Sequence, residues 1–131
     1  MCYDNNHMLL AILTFIVIIG ILIFVHEAGH FLVARRAGIA VSEFGFGFPP
    51  RIAGVQRVNG KWRVVRGNTP VDDNAPTIYS LNLIPLGGFV RIKGESGDRA
   101  TEPDSFGAKP RWVRALVLIA GVAMNGILAV V

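Results

Sequence analysis

The sequence predicts a membrane protein of the α+β class, in which α-helical transmembrane segments flank a β-rich cytoplasmic loop. Three observations support this prediction. Long apolar runs lie near both ends of the 131-residue chain. The segment between them carries the turn residues and the alternating patterns of strands. Hydrophobic residues make up 52% of the chain and charged residues only 17%, a balance that suits a membrane protein better than a soluble domain.

Residues 8–34 are predicted to form the first transmembrane helix, after an extracytoplasmic N-terminus of residues 1–7. In residues 8–25 only Thr14 has a polar side chain. As a helix these residues extend roughly 27 Å, which is close to the hydrocarbon thickness of a bilayer. A signal-peptide core is the alternative, but the run is too long, follows no Lys or Arg, and precedes no small-residue cleavage site.

The distribution of basic residues predicts that residues 35–111 form a cytoplasmic loop. All 13 Lys and Arg residues follow the first apolar run, and Arg35 and Arg36 adjoin its end. Positive residues accumulate on the cytoplasmic side of membrane helices, so the N-terminus is expected outside. The net charge of +4 then reflects this topology and nearby anionic lipid, and the absence of a nucleic-acid-binding motif argues against a nucleic-acid partner.

The first half of the loop is predicted to contain a β-hairpin over residues 51–67. Asn59-Gly60 is a favoured pair for a type I′ turn, and apolar and polar residues alternate imperfectly on both sides of it. Residues 44–50 read Phe-Gly-Phe-Gly-Phe-Pro-Pro. Their glycines and prolines argue against helix and predict an irregular loop, whose rings either pack on the membrane surface or line a site.

The second half of the loop is predicted to hold another strand and a linker. Residues 78–93 are apolar and strand-like, with interruptions at Pro85 and at Gly87-Gly88. Residues 95–110 are polar and rich in turn formers, as in a linker.

Residues 112–131 are predicted to form a second transmembrane helix. Lys109, Arg111 and Trp112 stand where interfacial anchors belong. Asn125 is the notable polar residue inside this run, and an interhelical hydrogen bond is the structural explanation for it. The run continues to Val131, the last residue, and a fragment of a longer protein is therefore expected.

The motif His26-Glu27-Ala28-Gly29-His30 is the strongest indication of function. On a helix its two imidazoles lie one turn apart on one face, a spacing that suits two ligands of one zinc ion. Glu27 is then placed to act as a general base on water. The alternative is a pair of structural histidines with a buried acidic partner, but ionisable residues inside a membrane are costly and usually functional.

Four segments together resemble the site-2 protease family of intramembrane zinc metalloproteases, especially the bacterial regulator of sigma-E proteases. Residues 25–38 are similar to the family's zinc helix, and residues 43–48 to its glycine-aromatic stretch. Residues 79–91 resemble its membrane-associated β segment. Ala120-Gly121 and Asn125 resemble its second-helix motif, although Val122 stands where many relatives have proline.

The resemblance implies a fragment of a multi-pass metalloprotease of the bacterial inner membrane. Zinc is the implied cofactor, with His26 and His30 as ligands, Glu27 as the catalytic residue and Asn125 as a substrate-positioning residue. Relatives of this kind cleave membrane-anchored regulators such as anti-sigma factors within the lipid bilayer. They also carry a PDZ region and, on a later helix, an aspartate as third zinc ligand. A catalytic zinc usually needs three protein ligands, so the fragment alone is expected to be inactive.

Two other functions remain open from the sequence. A non-catalytic zinc-binding or scaffolding membrane protein would retain the same fold, and would be favoured if the complete gene lacked the third ligand. A metal transporter would need further polar groups along both helices, where only Thr14 and Asn125 are available outside the motif.

Overall fold

The computed structural model describes residues 5–131 and shows two long helices joined by a small sheet. The elements in chain order are α1 (Asn5–Arg36), β1 (Val41–Val58), β2 (Lys61–Arg66), β3 (Ile78–Ile92) and α2 (Arg111–Val130). The prediction of a segment of strands between two apolar helices is therefore confirmed at the level of its elements. Both helices are long and apolar enough to cross a membrane. Residues 1–4 of the predicted N-terminal segment lie outside the described residues.

The first helix ends at Arg36, two residues beyond the predicted bound of residue 34, and Gly38 follows it with a φ of +69°. This left-handed conformation costs glycine little and is common just past a helix. The backbone N–H of Ala37 still donates to the carbonyl of Val33, and that of Ile39 donates to Ala34. The chain therefore turns sharply out of α1 and enters β1 within a few residues.

The predicted hairpin is present, and it joins β1 to β2. Val58 pairs with Lys61, and the two residues between them have positive φ, +50° at Asn59 and +79° at Gly60. Positive φ at both central positions is what a type I′ turn requires. The sheet order is β2-β1-β3, so β1 lies in the centre.

The prediction of an irregular loop at residues 44–50 is wrong, because these residues belong to β1. Glycine and proline exclude a helix there, but they do not exclude a strand with irregular pairing. Phe48 pairs with Ile84 and Arg51 with Asn82, and the register shifts between these positions. Pro49 and Pro50 have no backbone N–H to donate, and they fall where the register shifts. The strand therefore continues past them without regular pairing at these two positions.

The predicted interruption of β3 is visible as a bulge rather than as a break. Ile84 pairs with Phe48 and Gly88 with Phe46. Residues 85–87 of β3 thus lie opposite the single residue Gly47, and Pro85 is the first residue of this bulge. The predicted linker over residues 95–110 is confirmed, because it forms turns and bends without helix or strand.

The sheet buries polar side chains on one face and exposes apolar ones on the other. The polar residues buried on this face are Glu43, Arg51, Gln56, Ser80 and Asn82, and the neighbouring Ser42 is buried as well. The connector between β2 and β3 contacts this group, since Arg51 donates to the carbonyl of Thr69 at 2.8 Å and Gln56 to that of Pro76 at 2.6 Å. The opposite face packs in part against α1, where Phe44 stacks on Phe31 with ring centroids 4.6 Å apart.

The hydrophobic core lies at the junction of all the larger elements. The core is small and is formed where the end of α1, the start of β1, the end of β3 and the first turns of α2 meet. Its buried residues are Ala34, Ile39, Val41, Ile92, Val113 and Val117. This junction fixes the two helices against each other and against the sheet. It lies directly beside the histidine motif, which begins eight residues before Ala34.

Candidate metal centre

The structure brings His26, Glu27 and His30 together on the side of α1 that meets α2. Their ligand atoms all lie within 4.8 Å of one another. The two imidazole rings have centroids 4.8 Å apart and meet at 76°, edge to face. Helical spacing accounts for this proximity, because residues four apart share one face. Within residues 5–131 this is the only group of three His, Cys, Asp or Glu residues that can surround one ion.

The second helix holds the ring of His30 by a backbone hydrogen bond. The Nδ1 atom of His30 lies 2.7 Å from the carbonyl oxygen of Val117. A carbonyl can only accept, so Nδ1 carries the proton and donates it. In the neutral ring with this tautomer, the lone pair of Nε2 is the one available to a metal. Metal-binding histidines usually donate their other ring nitrogen to such an acceptor.

The ring of His26 also contacts α2 through its Nδ1 atom, and its neighbour there is the side-chain amide of Asn125. The Nδ1 atom of His26 lies 3.4 Å from the Asn125 amide nitrogen, and the Asn125 Oδ1 atom is buried without a partner. The two ends of an amide are assigned from their hydrogen bonds. Exchanging them places Oδ1 against Nδ1–H of His26, which gives His26 the same tautomer as His30. The exchanged amide nitrogen then takes the buried position that Oδ1 held.

Gly121 leaves open the space into which both Nε2 atoms point. A Cβ atom at this position would lie 2.5 Å from Nε2 of His26 and 2.6 Å from Nε2 of His30. Real Cβ atoms do not approach other heavy atoms so closely, so any side chain here would displace both rings. Val117, Gly121 and Asn125 follow each other at four-residue spacing and thus share one face of α2. The chemistry of two convergent unprotonated imidazoles fits a zinc ion or another imidazole-binding metal.

Glu27 and Asn125 face the same cleft beside the two rings. The cleft has a volume of about 300 Å³ and is lined by Leu22, Ile23, His26, Glu27 and Asn125. The carboxylate of Glu27 also lies within reach of the backbone N–H of Val90 in β3. The cleft therefore combines an apolar wall with a carboxylate, an imidazole and an amide, which is the usual composition of a small reactive site.

Two glycines of β3 allow the sheet to approach α1 next to the motif. A Cβ at Gly87, whose φ is +70°, would lie 2.5 Å from Ile23, and one at Gly88 would lie 2.9 Å from Phe24. These contacts occur one turn before His26. This close packing of β3 against α1 places the backbone N–H of Val90 next to the Glu27 carboxylate.

The sequence did not predict the roles of Val117, Gly121 and Val90 in this centre. Val117 and Val90 contribute only backbone groups, so their side chains carry no signal. Ala120-Gly121 does form a small-residue pair inside an apolar helix, which is typical of close helix–helix contacts. Gly29 on α1 faces the same contact, because a Cβ there would lie 2.7 Å from Met124.

Comparison with known proteins agrees with this geometry. The sequence profile of peptidase family M50 matches residues 14–66 and 71–131, which include the motif and the α2 face that holds it. The chain belongs to peptidase family M50. Its two helices and small sheet are those of a segment of an M50 membrane protease.

Relatives within the M50 family come from several bacteria. The chain is 35% identical over 106 residues to the regulator of sigma-W protease RasP of Bacillus subtilis, which covers 81% of this chain and 20% of that protein. It is 40% identical over 85 residues to the zinc metalloprotease RasP of Geobacillus kaustophilus, 65% of this chain and 16% of that protein. A relative from Fusobacterium nucleatum is 38% identical over 114 residues, 87% of this chain and 28% of its own length. The chain thus spans less than a third of each.

Proposed function

We propose that this M50 chain is part of an intramembrane zinc endopeptidase that cleaves membrane-anchored regulatory proteins, such as anti-sigma factors. The observation that carries the proposal is the convergence of two imidazole Nε2 atoms on Gly121, with the Glu27 carboxylate beside them. The names of the relatives support the activity and the cofactor, and the name of the Bacillus subtilis relative supports a role in sigma-factor regulation.

The chemistry requires a metal, a base and an extended peptide. A zinc ion held by His26 and His30 would polarise the scissile carbonyl and make water a stronger nucleophile at neutral pH. Glu27 accepts the proton of the attacking water and later delivers it to the leaving amine, so the peptide bond is exchanged for an acid and an amine. Two imidazoles fall one ligand short of the usual three protein ligands, and we propose a carboxylate from outside residues 5–131 as the third.

Asn125 is proposed to act on both the metal ligand and the substrate. With Oδ1 accepting from Nδ1–H of His26, the N–H groups of the Asn125 amide require an acceptor. A substrate carbonyl or its oxyanion in the 300 Å³ cleft supplies that acceptor. Donors aimed at a developing oxyanion commonly contribute a hundredfold or more to the rate.

The sheet is proposed to hold the substrate in extended form beside Glu27. A helical amide is shielded by its own hydrogen bonds, so the substrate helix must unwind before cleavage. β3 reaches Glu27 at Val90, and an extended peptide can add to an exposed strand edge by main-chain hydrogen bonds. Pro85 lacks an N–H, so the edge after the bulge, residues 88–91, is the better platform.

Cleavage by the full-length protein tests the proposed function. The protein would be reconstituted in bacterial lipid with a membrane-anchored anti-sigma-factor segment, and the appearance of product would be followed. We expect Glu27→Gln to reduce the rate by about a hundredfold to ten-thousandfold, because the general base is lost. The matched control Asp98→Asn, in the exposed linker, should cleave at the wild-type rate. Equal rates for Glu27→Gln and wild type would reject the enzyme and favour the scaffolding protein.

The proposed orientation places the N-terminus outside and residues 35–111 in the cytoplasm of a bacterial inner-membrane protein. It rests on Arg35 and Arg36 at the end of α1. A single cysteine at Asp73, in a Cys2→Ser background, should be protected from a membrane-impermeant thiol reagent in intact cells and become reactive after lysis. Labelling of that cysteine before lysis would reverse the topology.

A further inference from the structure

We propose that the open side of the sheet binds one anionic phospholipid of the cytoplasmic leaflet, with its phosphate between Arg35 and Arg57. The proposal depends on α1 lying in the membrane and is independent of proteolysis. It starts from a cavity of about 410 Å³ at the end of α1, which we call the headgroup pocket. Arg35, Arg57, Trp62 and Tyr79 are among the residues that line it.

The headgroup pocket contains two cations without carboxylate partners. Among residues 5–131, the ion pairs involve Arg51, Lys93 and Arg99 as cations, and neither Arg35 nor Arg57 takes part. The lining of the pocket includes no Asp or Glu. Two unpaired guanidinium groups around one cavity favour a phosphate, which each can bind through two N–H groups.

Arg35 is held in place for such a role. Its Nη1 atom donates to the hydroxyl of Tyr79 at 3.1 Å, and its guanidinium lies 5.6 Å from the centre of the Phe31 ring. Arg35 also belongs to the last turn of α1, the proposed cytoplasmic end of the first membrane span. The pocket therefore lies at the depth of the lipid headgroups, where Trp62 is also expected because tryptophan favours the membrane interface.

The strand register continues this pocket into an apolar groove. Residues that are directly paired share a face of a sheet, and Arg57 pairs with Trp62 while Val55 pairs with Val64 and with Tyr79. These side chains therefore project from one face. A second cavity of about 350 Å³ on it, the sheet groove, is lined by Ala53, Gly54, Val55, Val64, Tyr79, Ser80 and Leu81.

The groove identifies a lipid rather than free phosphate as the occupant. Tyr79 lines both cavities, so the pocket and the groove adjoin. Val55, Val64 and Leu81 are exposed on the groove side, with 39%, 61% and 53% of their surface accessible. An acyl chain covers this surface while its phosphate meets the two arginines. Free phosphate would satisfy only the pocket and leave the apolar groove open to water.

Lipid binding to the purified full-length protein tests the proposal. Native mass spectrometry from neutral detergent would measure retention of phosphatidylglycerol and of phosphatidylcholine with matched acyl chains. We expect one phosphatidylglycerol to be retained more tightly. The double variant Arg35→Gln/Arg57→Gln should weaken it about twenty-five-fold, because each basic residue near an anionic headgroup contributes about fivefold.

The controls separate a built site from general attraction. Arg63 belongs to the same hairpin, but it pairs with Gln56 and its side chain lies on the opposite face of the sheet. Arg63→Gln should therefore leave the retention of phosphatidylglycerol unchanged. Arg57→Lys keeps the charge and should retain most of the affinity even if the double variant is unstable. Equal retention of the two lipids, or equal loss in Arg63→Gln, would overturn the proposal. Displacement of the lipid by about 10 mM inorganic phosphate, well below the physiological ionic strength of about 0.15 M and thus with little general screening, would reassign the pocket to free phosphate.

Discussion

The helix pair and the sheet both bury polar groups, but they use them differently. In the helix pair, the polar groups of His26, His30 and Asn125 meet across α1 and α2, and the two Nε2 atoms keep open lone pairs. In the sheet, Arg51 and Glu43 pair with each other at 3.3 Å, and Asn82 donates to the carbonyl of Gly47 at 2.9 Å. The helix pair holds its polar groups ready for a ligand, whereas the sheet uses them to join its own strands and to hold the connector between β2 and β3.

Because of this difference, substitutions in the helix pair should change the chemistry, whereas substitutions in the sheet should change only stability. Substitutions on the shared face of α2 should alter metal content or turnover. Substitutions among the buried polar groups around the sheet should loosen the loop and leave the metal in place.

The largest effect is expected from Gly121→Ala. The added Cβ would lie 2.5 and 2.6 Å from the two Nε2 atoms, so both rings must leave their positions. We expect purified full-length Gly121→Ala to lose its zinc and its proteolytic activity. Gly126→Ala on the same helix has open space at its Cβ and should retain both. Full zinc occupancy in Gly121→Ala would show that the rings do not converge there in the functional protein.

Substitution of Asn125 should have a smaller effect on zinc binding and turnover. Two variants separate its proposed contact with His26 from its proposed contact with the substrate. Asn125→Leu removes both the acceptor for His26 and the donor for the substrate. We expect zinc affinity to fall about tenfold to a hundredfold, and turnover of the zinc-loaded enzyme by about a hundredfold. Asn125→Asp keeps an acceptor but loses the donor, so zinc affinity should persist while turnover falls. Near-wild-type turnover of folded, zinc-loaded Asn125→Leu would leave Asn125 only an interhelical hydrogen bond, worth about 0.6 kcal/mol on average.

The smallest effect is expected from the lysine clamp beside the sheet, formed by Lys93 with Asn74, Glu102 and Asp104. The Nζ atom of Lys93 donates to Asn74 at 2.9 Å and to Asp104 at 2.8 Å, and it also pairs with Glu102. We expect Lys93→Met to raise hydrogen exchange in residues 94–110 several-fold, with unchanged zinc content. Loss of zinc in Lys93→Met would contradict the division between the two regions.

The clamp also has a defined pH window. Its hydrogen bonds to Asp104 and Glu102 raise the pKa of Lys93, and the hydrogen bond from Lys93 lowers the pKa of Asp104. The contribution of Asp104 is complete above its unfolded pKa of about 3.9 and is lost as pH falls through the lowered folded pKa. The stabilising contribution of Lys93 is complete below its unfolded pKa of about 10.4, and it is lost as pH rises through the raised folded pKa of this residue. Protection of the linker, corrected for intrinsic exchange, should therefore stay constant from about pH 5 to 9.

The sequence was sufficient for features set by local pattern. The helical spacing of His26 and His30 and the Asn59-Gly60 turn both follow from near neighbours. The strand through residues 44–50 was missed because its irregular pairing depends on β3, about forty residues later in the chain. The role of Gly121 depends on how α1 and α2 pack, and that contact joins residues about ninety positions apart. No local pattern encodes such a register.

The most direct test of the account is the zinc content of three purified full-length variants, measured by elemental analysis beside cleavage. Glu27→Gln should keep nearly one zinc per chain and lose cleavage, because Glu27 is assigned as the base and not as a ligand. His26→Ala and His30→Ala should lose both. If Glu27→Gln loses zinc as completely as His26→Ala, the division of roles within the motif is wrong.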